Sequence, residues 1–502
     1  MSNGKKDNSK QSYATIFDSI FYKPISKLTE LFVNNEEIKK TTDSFSIGVS
    51  QNPYNKNKTQ QIYLNLSHLL RHTYILGQSG SGKTYLILHM LMSLVNLNMG
   101  FCVIDIHGDL SKMIFNYICS KANDEAELAR ISKKVVLIEP FNKIFAPAFN
   151  PLFSTNTINL YSEAYDMLGI FKKIWKDVSW GARMEELLRN LLLTLSLTKS
   201  SLLEANRFLT DSSYREKIVD QLTDYEIKYY WTDRFGALSE RMKPVYIEPV
   251  ANKLSIFTSD PYIRHILAQE ESEINFRKFM DEGKWVIVNI SKGALSENAH
   301  LLGSLFISKI KSSALSRADI QESLRVPFYL FVDEFQNFMG YNFEEILSEA
   351  RKYKLGLVLA HQNLSQIEKT MRESIFANVY NNLFFKLSHN DMKEVSNAFT
   401  SADKSLLQQV LLTLNVGEAV YRIPDGTFRK TKINHIHSAK DNQPSANRLK
   451  NICYEKYYRR RSDIDKKLRS NRTNNSATII SSNKVKVITK RIIRNGIEEG
   501  TL

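Results

Sequence analysis

The string Gly77-Gln78-Ser79-Gly80-Ser81-Gly82-Lys83-Thr84 constrains the fold more than any other feature of the chain. It fits the pattern G-x-x-x-x-G-K-[ST], which functions where a strand runs into a glycine-rich loop and a helix runs out. Both flanks comply. Thr73-Tyr74-Ile75-Leu76 reads as an apolar strand, and Tyr85 to Leu94 carries Leu86, Ile87, Met90, Leu91 and Leu94 at helical spacing. In that setting Gly77, Gly80 and Gly82 let backbone N–H groups turn inward toward phosphate oxygens, and the helix N-terminus adds partial positive charge. Lys83 then reaches the β- and γ-phosphates of ATP, and the Thr84 hydroxyl ligates Mg2+. A glycine-rich turn with no ligand is the alternative, and the flanking pattern argues against it.

Short, nearly all-apolar runs recur along the chain at Phe101 to Ile104, Val135 to Ile138, Trp285 to Ile290, Phe328 to Val332 and Leu357 to Ala360. Such runs suit central parallel strands covered on both faces, and helical patterns lie between most of them. The fold class expected is therefore α/β, with a mainly parallel central sheet. From about Asn156 to Glu282 helical periodicity takes over. Met184, Leu187, Leu188, Leu191 and Leu192, for example, lay an apolar stripe along one helix face. That interval reads as an all-α insertion between two halves of a core. The organisation expected is a basic lead-in (1–44), a first core segment (45–155), the insertion (156–282), a second core segment (283–438) and a basic, disordered tail (439–502). Short alternating runs between Ser44 and Leu70 point to a small β element feeding the core.

A second candidate site lies at Phe328-Tyr329-Leu330-Phe331-Val332-Asp333-Glu334, an apolar strand ending in two carboxylates. Adjacent carboxylates at a buried strand exit repel one another without a cation nearby. Asp333 is read as holding Mg2+ and Glu334 as orienting or deprotonating an attacking water. Downstream, the strand Leu355 to Ala360 ends at His361-Gln362. If it neighbours the Asp333 strand, Gln362 emerges beside the γ-phosphate; otherwise it merely terminates a strand. Arg351 is either a surface helix residue or an arginine offered to a neighbouring subunit, where it neutralises transition-state charge.

The formal charge of +15 favours a polyanionic partner, nucleic acid or an acidic membrane surface. The three cysteines are too scattered for a disulfide framework or a zinc site. No stretch reaches the roughly 18 apolar residues of a membrane span, so a cytoplasmic chain, or one peripheral at the inner face of a membrane, is expected. Lys456, Arg459, Arg460 and Arg461, interleaved with Tyr454, Tyr457 and Tyr458, read either as a nucleic-acid contact or as a solvated basic end.

Together, Ile75 to Leu86, Asp105-Ile106-His107-Gly108-Asp109-Leu110, Trp180-Gly181-Ala182-Arg183, Asn289-Ile290-Ser291-Lys292-Gly293 and Asp333-Glu334-Phe335-Gln336-Asn337-Phe338 resemble the HerA/FtsK-type motor superfamily. Leu347-Ser348-Glu349-Ala350-Arg351-Lys352-Tyr353 and Leu359-Ala360-His361-Gln362 resemble its TraG/TraD-type branch, the conjugative coupling ATPases of type IV secretion. The resemblance implies a RecA-like P-loop core and an ATPase that pulls DNA through a ring of identical subunits, usually hexameric. Relaxosome or secretion-channel proteins would be its partners. It implies Lys83 and Thr84 for phosphate and Mg2+, Asp333 and Glu334 for metal and water, Arg351 as the trans-acting finger and Gln362 as the γ-phosphate sensor. Asp105, His107 and Asp109 would either tune the site or form a structural turn. Typical coupling proteins carry N-terminal membrane helices, which are not legible here. A HerA-like motor processing DNA ends and an ATPase energising protein secretion remain the alternatives.

Overall fold

Strands flanked by helices on both faces must be apolar throughout, and the runs read above behave accordingly. The computed structural model describes residues 43–52, 55–153, 157–175, 180–296, 298–338, 342–398, 404–422, 428–436 and 442–470. Its strands are β1 (Ser44–Asn52), β2 (Asn55–Asn65), β3 (Thr73–Leu76), β4 (Gly100–Asp105), β5 (Val135–Ile138), β6 (Phe145–Pro147), β7 (Trp285–Asn289), β8 (Phe328–Val332), β9 (Leu355–His361), β10 (Asn381–Phe384), β11 (Glu418–Arg422), β12 (Phe428–Ile433) and β13 (Tyr458–Arg460). Every residue of β3, β4, β5, β8 and β9 is buried.

The chain divides into two compact units, one spanning residues 1–139, 165–179 and 275–453, the other 140–164, 180–274 and 454–502. The first unit holds an 11-stranded sheet in the order β2-β1-β12-β11-β10-β3-β9-β8-β4-β7-β5. From β10 to β5 all neighbours are parallel. From β10 outward through β11, β12, β1 and β2 they are antiparallel. This is the RecA-like P-loop fold, with β1 and β2 as the small β element extending one edge. Strands β10, β11 and β12 have no counterpart among the apolar runs, because polar residues interrupt them. In β10, Asn381 is buried and its Nδ2 donates to the His68 carbonyl at 2.9 Å, while the Tyr421 hydroxyl donates to its Oδ1 at 2.9 Å.

The second unit is mainly helical. The stripe Met184, Leu187, Leu188, Leu191 and Leu192 is buried on the helix Ala182–Leu197, as its spacing requires. Trp231 packs edge-on against Phe208 at 4.7 Å, and its indole N–H donates to the Thr194 hydroxyl at 2.8 Å. The described residues of 156–282 form helices and no strand, but the unit is not bounded as expected and takes in residues 140–155 and 454–470 as well. β6 and β13 pair as an antiparallel ribbon. Residues 275–282 group with the sheet-bearing unit, since Phe276 stacks edge-on against Phe306 at 6.0 Å.

The expectation of a disordered tail from 439 fails over residues 443–470. Gln443–Tyr457 forms a helix that buries Ala446, Leu449 and Cys453. The Cys453 thiol donates to the Val135 carbonyl at 3.7 Å, and Asn442 Nδ2 donates to the Ala122 carbonyl at 3.2 Å. Charge patterning hid this helix, because its few apolar residues are spread among solvated ones. Within the helical unit Arg461 is buried, donating to the carbonyls of Asn142 at 2.8 Å and Pro140 at 2.7 Å. Arg459 pairs with Glu273, and the Arg460 guanidinium lies 5.7 Å from the Phe145 ring centroid. The arginines of this segment are thus engaged within the fold. Residues 1–42 and 471–502 lie outside the described residues.

Docking of the 443–457 helix predicts unequal costs for two neighbours. Leu449→Ala, at a fully buried position, should lower stability by about 2–5 kcal/mol. Arg448→Ala, which loses only the surface pair with Glu125, should change it by about 1 kcal/mol or less. Urea unfolding of the two variants compares them directly, and equal small effects would mean that the helix is not docked.

Candidate functional site

Parallel strands deliver their C-terminal ends to one edge of a sheet, and there β3, β9 and β8 bring the sequence-selected residues together. The loop 77–82 follows β3 and leads into the helix Lys83–Asn96. Its backbone takes positive φ at Gly80 (72°) and Gly82 (112°), conformations that disfavour a side chain. A Cβ on Gly77 would lie 2.5 Å from Phe385 Cβ, so this position is closed to anything larger than glycine. The loop is held from behind by residues that the motif does not include. Gln78 N–H donates to the Lys386 carbonyl at 2.9 Å, and Gly417 N–H donates to the Ser81 carbonyl at 3.0 Å.

Inside this cradle Lys83 Nζ is buried and donates to the carbonyls of Gly77 at 2.6 Å and Gln78 at 3.1 Å. Burial lowers its pKa, while Glu334 and Asp333 pull the other way. The Ser81 hydroxyl is buried without a hydrogen-bond partner among the described residues. A loop turned by two positive-φ glycines, a lysine hydrogen-bonded to loop carbonyls and an orphan hydroxyl together fit a bound phosphate.

β9 lies between β3 and β8, so Gln362 emerges between the phosphate loop and the paired carboxylates. Asp333 and Glu334 follow β8 and are both buried. Burial, the Glu334 carboxylate and then Asp105 push the Asp333 pKa up to about 7. A divalent cation would relieve this, which fits a carboxylate poised for metal. No group of three or more His, Cys, Asp or Glu among the described residues forms a self-contained metal site. Mg2+ beside a nucleotide does not need one, because phosphates and waters supply most of its ligands. Thr84 and Asp333 would hold it.

Glu334 has φ 52°, a left-handed conformation unusual for a residue with a side chain. Its two carboxylate oxygens accept from Gln362 Nε2 at 2.6 Å and Gln336 Nε2 at 2.7 Å. Sequence reasoning quoted Gln336 within a motif without giving it a role. It likewise passed over the Tyr74 hydroxyl, 3.0 Å from His361 Nδ1, whose buried ring packs behind Gln362. Asp105 is a turn-former: Oδ1 accepts from the N–H groups of His107 and Gly108, both at 2.9 Å, and Oδ2 from that of Ser111 at 2.7 Å.

Arg351 is not brought to this cluster. It is exposed on the 3-10 turn Ala350–Tyr353, which precedes β9 rather than following it. The 7 residues of β9 place about 20 Å of strand between that turn and Gln362.

The family model described as the central domain of helicase HerA matches residues 50–310, more than half of the 502 residues. The chain belongs to this HerA family. A second model, the TraM recognition site of TraD and TraG, matches residues 327–409 of the HerA-family chain. No curated protein matches it in sequence. Among solved structures, the bacterial conjugative coupling protein TrwBΔN70 is similar at 14% identity and TM-score 0.56, with 84% of this chain and 94% of TrwB covered. TrwB in complex with ADP and Mg2+ gives 15% identity and TM-score 0.55, over the same shares of 84% and 94%. VirB4 of Thermoanaerobacter pseudethanolicus gives 12% identity and TM-score 0.51, with 79% of this chain and 98% of VirB4 covered. These likenesses establish a shared fold, and the two family models place the chain where its motifs had placed it. Among the described residues no helix is long and apolar enough to cross a membrane.

Two buried histidines, His72 before β3 and His361 at the end of β9, should be visible in the pH dependence of stability. His72 Nδ1 accepts from Leu357 N–H at 3.1 Å, which leaves Nε2–H to donate to the Leu347 carbonyl at 3.1 Å and fixes a neutral ring. Burial lowers the pKa to about 4 for His72 and about 3 for His361. Each ring is neutral when folded but takes up a proton on unfolding below about pH 6.5, so its contribution is present above that pH and lost as pH falls. Asp333, raised to about 7, works in the opposite direction over the same window. His72→Gln should therefore flatten the acid slope of stability between pH 4.5 and 6 by about 1.4 kcal/mol per pH unit relative to wild type. Urea unfolding at several pH values measures it, and an unchanged slope would show that His72 is protonated in the folded chain.

Proposed function

We propose that this chain is an ATP-driven DNA translocase of the conjugative coupling kind, acting in a ring of identical subunits. The observation that carries this is the division of one strand's ends. At its C-terminal end β9 sets Gln362 against Glu334, between the phosphate loop and Asp333. At its N-terminal end it presents an exposed Arg351 that its own site is too distant to use. A site with a sensor in place and its arginine facing outward is a site completed by a neighbour.

In this reading the loop Gly77, Gln78, Ser79, Gly80, Ser81 and Gly82 wraps the phosphates of ATP. Lys83 exchanges its carbonyl contacts for phosphate oxygens. Thr84 and Asp333 hold Mg2+, which when bound neutralises charge on the phosphates. Glu334 orients the attacking water and accepts its proton, and Gln362 reports the γ-phosphate to the Glu334 carboxylate. Arg351 of one subunit stabilises the charge developing in the next. TrwB, similar in fold, forms a complex with ADP and Mg2+, which supports the cofactor pair. The match to the TraM recognition model supports a relaxosome protein as partner. Net charge of +15 supports DNA as substrate. We place the protein in the cytoplasm, or peripherally at the inner face of the membrane.

ATP hydrolysis should be stimulated by DNA and fall to background in Lys83→Ala. Mixed rings of the two inactive variants Lys83→Ala and Arg351→Ala should recover part of the rate, since each variant supplies what the other lacks. Hydrolysis indifferent to DNA would remove the translocase reading, and proven mixed rings without recovery would remove Arg351 from the site.

A further inference from the structure

We propose that Gln336 is a positioning residue for the Glu334 carboxylate, forming with Gln362 a two-amide clamp that sets the aim of the catalytic oxygens. The inference rests on the assignment of Glu334 given above and adds a residue to it. A carboxylate on a single-bonded stem rotates freely unless both oxygens are held. Here each oxygen accepts one amide N–H, from Gln362 on one side and Gln336 on the other. Both glutamines turn Nε2, the donor end of the amide, toward the carboxylate oxygens, which accept.

The two arms come from different elements. Gln362 ends β9, whereas Gln336 sits in the 3-10 turn Phe335–Phe338 directly after the acidic pair. That turn is pinned on both sides of Gln336. Phe335 is fully buried, with its ring 5.2 Å from the His361 ring. Phe338 lies so close to the helix Asn298–Leu315 that a Cβ on Gly303 would come within 2.2 Å of it. Asn337 ties the turn to Glu334 itself, its backbone N–H and Nδ2 donating to the Glu334 carbonyl at 3.0 Å and 2.9 Å. Gln336 is therefore delivered on a rigid frame.

Two further observations mark it as more than a turn residue. Its Oε1 is buried with no hydrogen-bond partner among the described residues, so the contact with Glu334 is the one polar bond its side chain makes there. A buried acceptor left without a donor is costly, and such cost is tolerated where a function requires it. Glu334 also holds a left-handed backbone at φ 52°, a strain that aims the carboxylate and that the surrounding turn must maintain. When Gln362 is drawn to the γ-phosphate, Gln336 is the arm that remains to hold the carboxylate in line. The clamp thus separates sensing, by Gln362, from aiming, by Gln336.

Gln336→Met tests this with a side chain of nearly the same length and volume that lacks the donor. The expected result is a kcat for ATP hydrolysis reduced about tenfold or more, with KM and the affinity for the fluorescent analogue mant-ATP within about twofold of wild type. Gln336→Glu, which sets a like charge against Glu334, should lose more. In a Glu334→Gln background the Gln336→Met change should have no further effect, because the group it aims is gone. Wild-type turnover in Gln336→Met beside an inactive Glu334→Gln would overturn the clamp and leave the assignment of Glu334 standing. Equal loss of mant-ATP binding, turnover and thermal stability would reduce Gln336 to a structural role and overturn it as well. If Glu334→Gln itself hydrolyses ATP at the wild-type rate, the assignment of Glu334 fails, and the clamp fails with it.

Discussion

Everything at the site depends on the insertion of β9 between β3 and β8. Neighbouring strands stand about 4.8 Å apart, so one intervening strand puts roughly 10 Å between the phosphate loop and the paired carboxylates. That separation leaves room for a phosphate group and a metal between Lys83 and Asp333. The same strand fills the gap it creates with Gln362, a neutral amide that can bond to either charge without neutralising one. Its sequence Leu-Gly-Leu-Val-Leu-Ala-His is buried throughout, and Gly356 admits the close approach of the Leu69 carbonyl, 2.8 Å from where a Cβ would stand.

The parts legible in the sequence were those with a strong local signature. The phosphate loop carries its own geometry in three glycines, and the central strands announce themselves because both faces are buried. Asp333 and Glu334 were readable as a pair at a strand exit. Strand order was not readable, since β9 pairs with β3, far upstream in the chain, as well as with β8 just before it. The position of Gln362 was accordingly conditional on a neighbour that only the fold supplies. Gln336 was hidden for a different reason. A glutamine two residues past a carboxylate has no distinguishing pattern, and its significance arises from the left-handed backbone at Glu334, which folds the turn back on itself.

The antiparallel half of the sheet and the C-terminal helix were missed on the same physical grounds. Hydrophobic periodicity detects elements whose core-facing residues are apolar. β10 buries two asparagines, of which Asn381 hydrogen-bonds to neighbouring segments, so its signal reads as polar. The segment around Arg461 reads as a basic tail because charge is counted without regard to what it faces. In the fold that guanidinium caps backbone carbonyls, and burial lowers its pKa to about 10. Net charge of +15 therefore overstates what the described surface offers to a polyanion, at least at these arginines.

The turn bearing Arg351 shows why an exposed arginine there differs from an ordinary surface one. A long side chain offered to a neighbour is useful only if its backbone does not wander, since each freed rotor dilutes the contact. Arg317, fully buried, donates to the Tyr353 carbonyl at 3.0 Å and the Val326 carbonyl at 2.6 Å, and pairs with Asp281 at 3.0 Å. The Arg325 guanidinium lies 5.2 Å from the Tyr353 ring centroid and donates from Nε to the Ile320 carbonyl at 2.9 Å. Lys311, buried between Asp166 and Glu345, fixes the helix Asn342–Glu349 that leads into the turn. Arg317 and Lys311 are buried cations that cost desolvation a surface residue would not, and Arg325 beside them is half-buried. Their contacts hold the turn and the helix before it in place at the surface, which is what the proposed shared site would require of the residue it borrows.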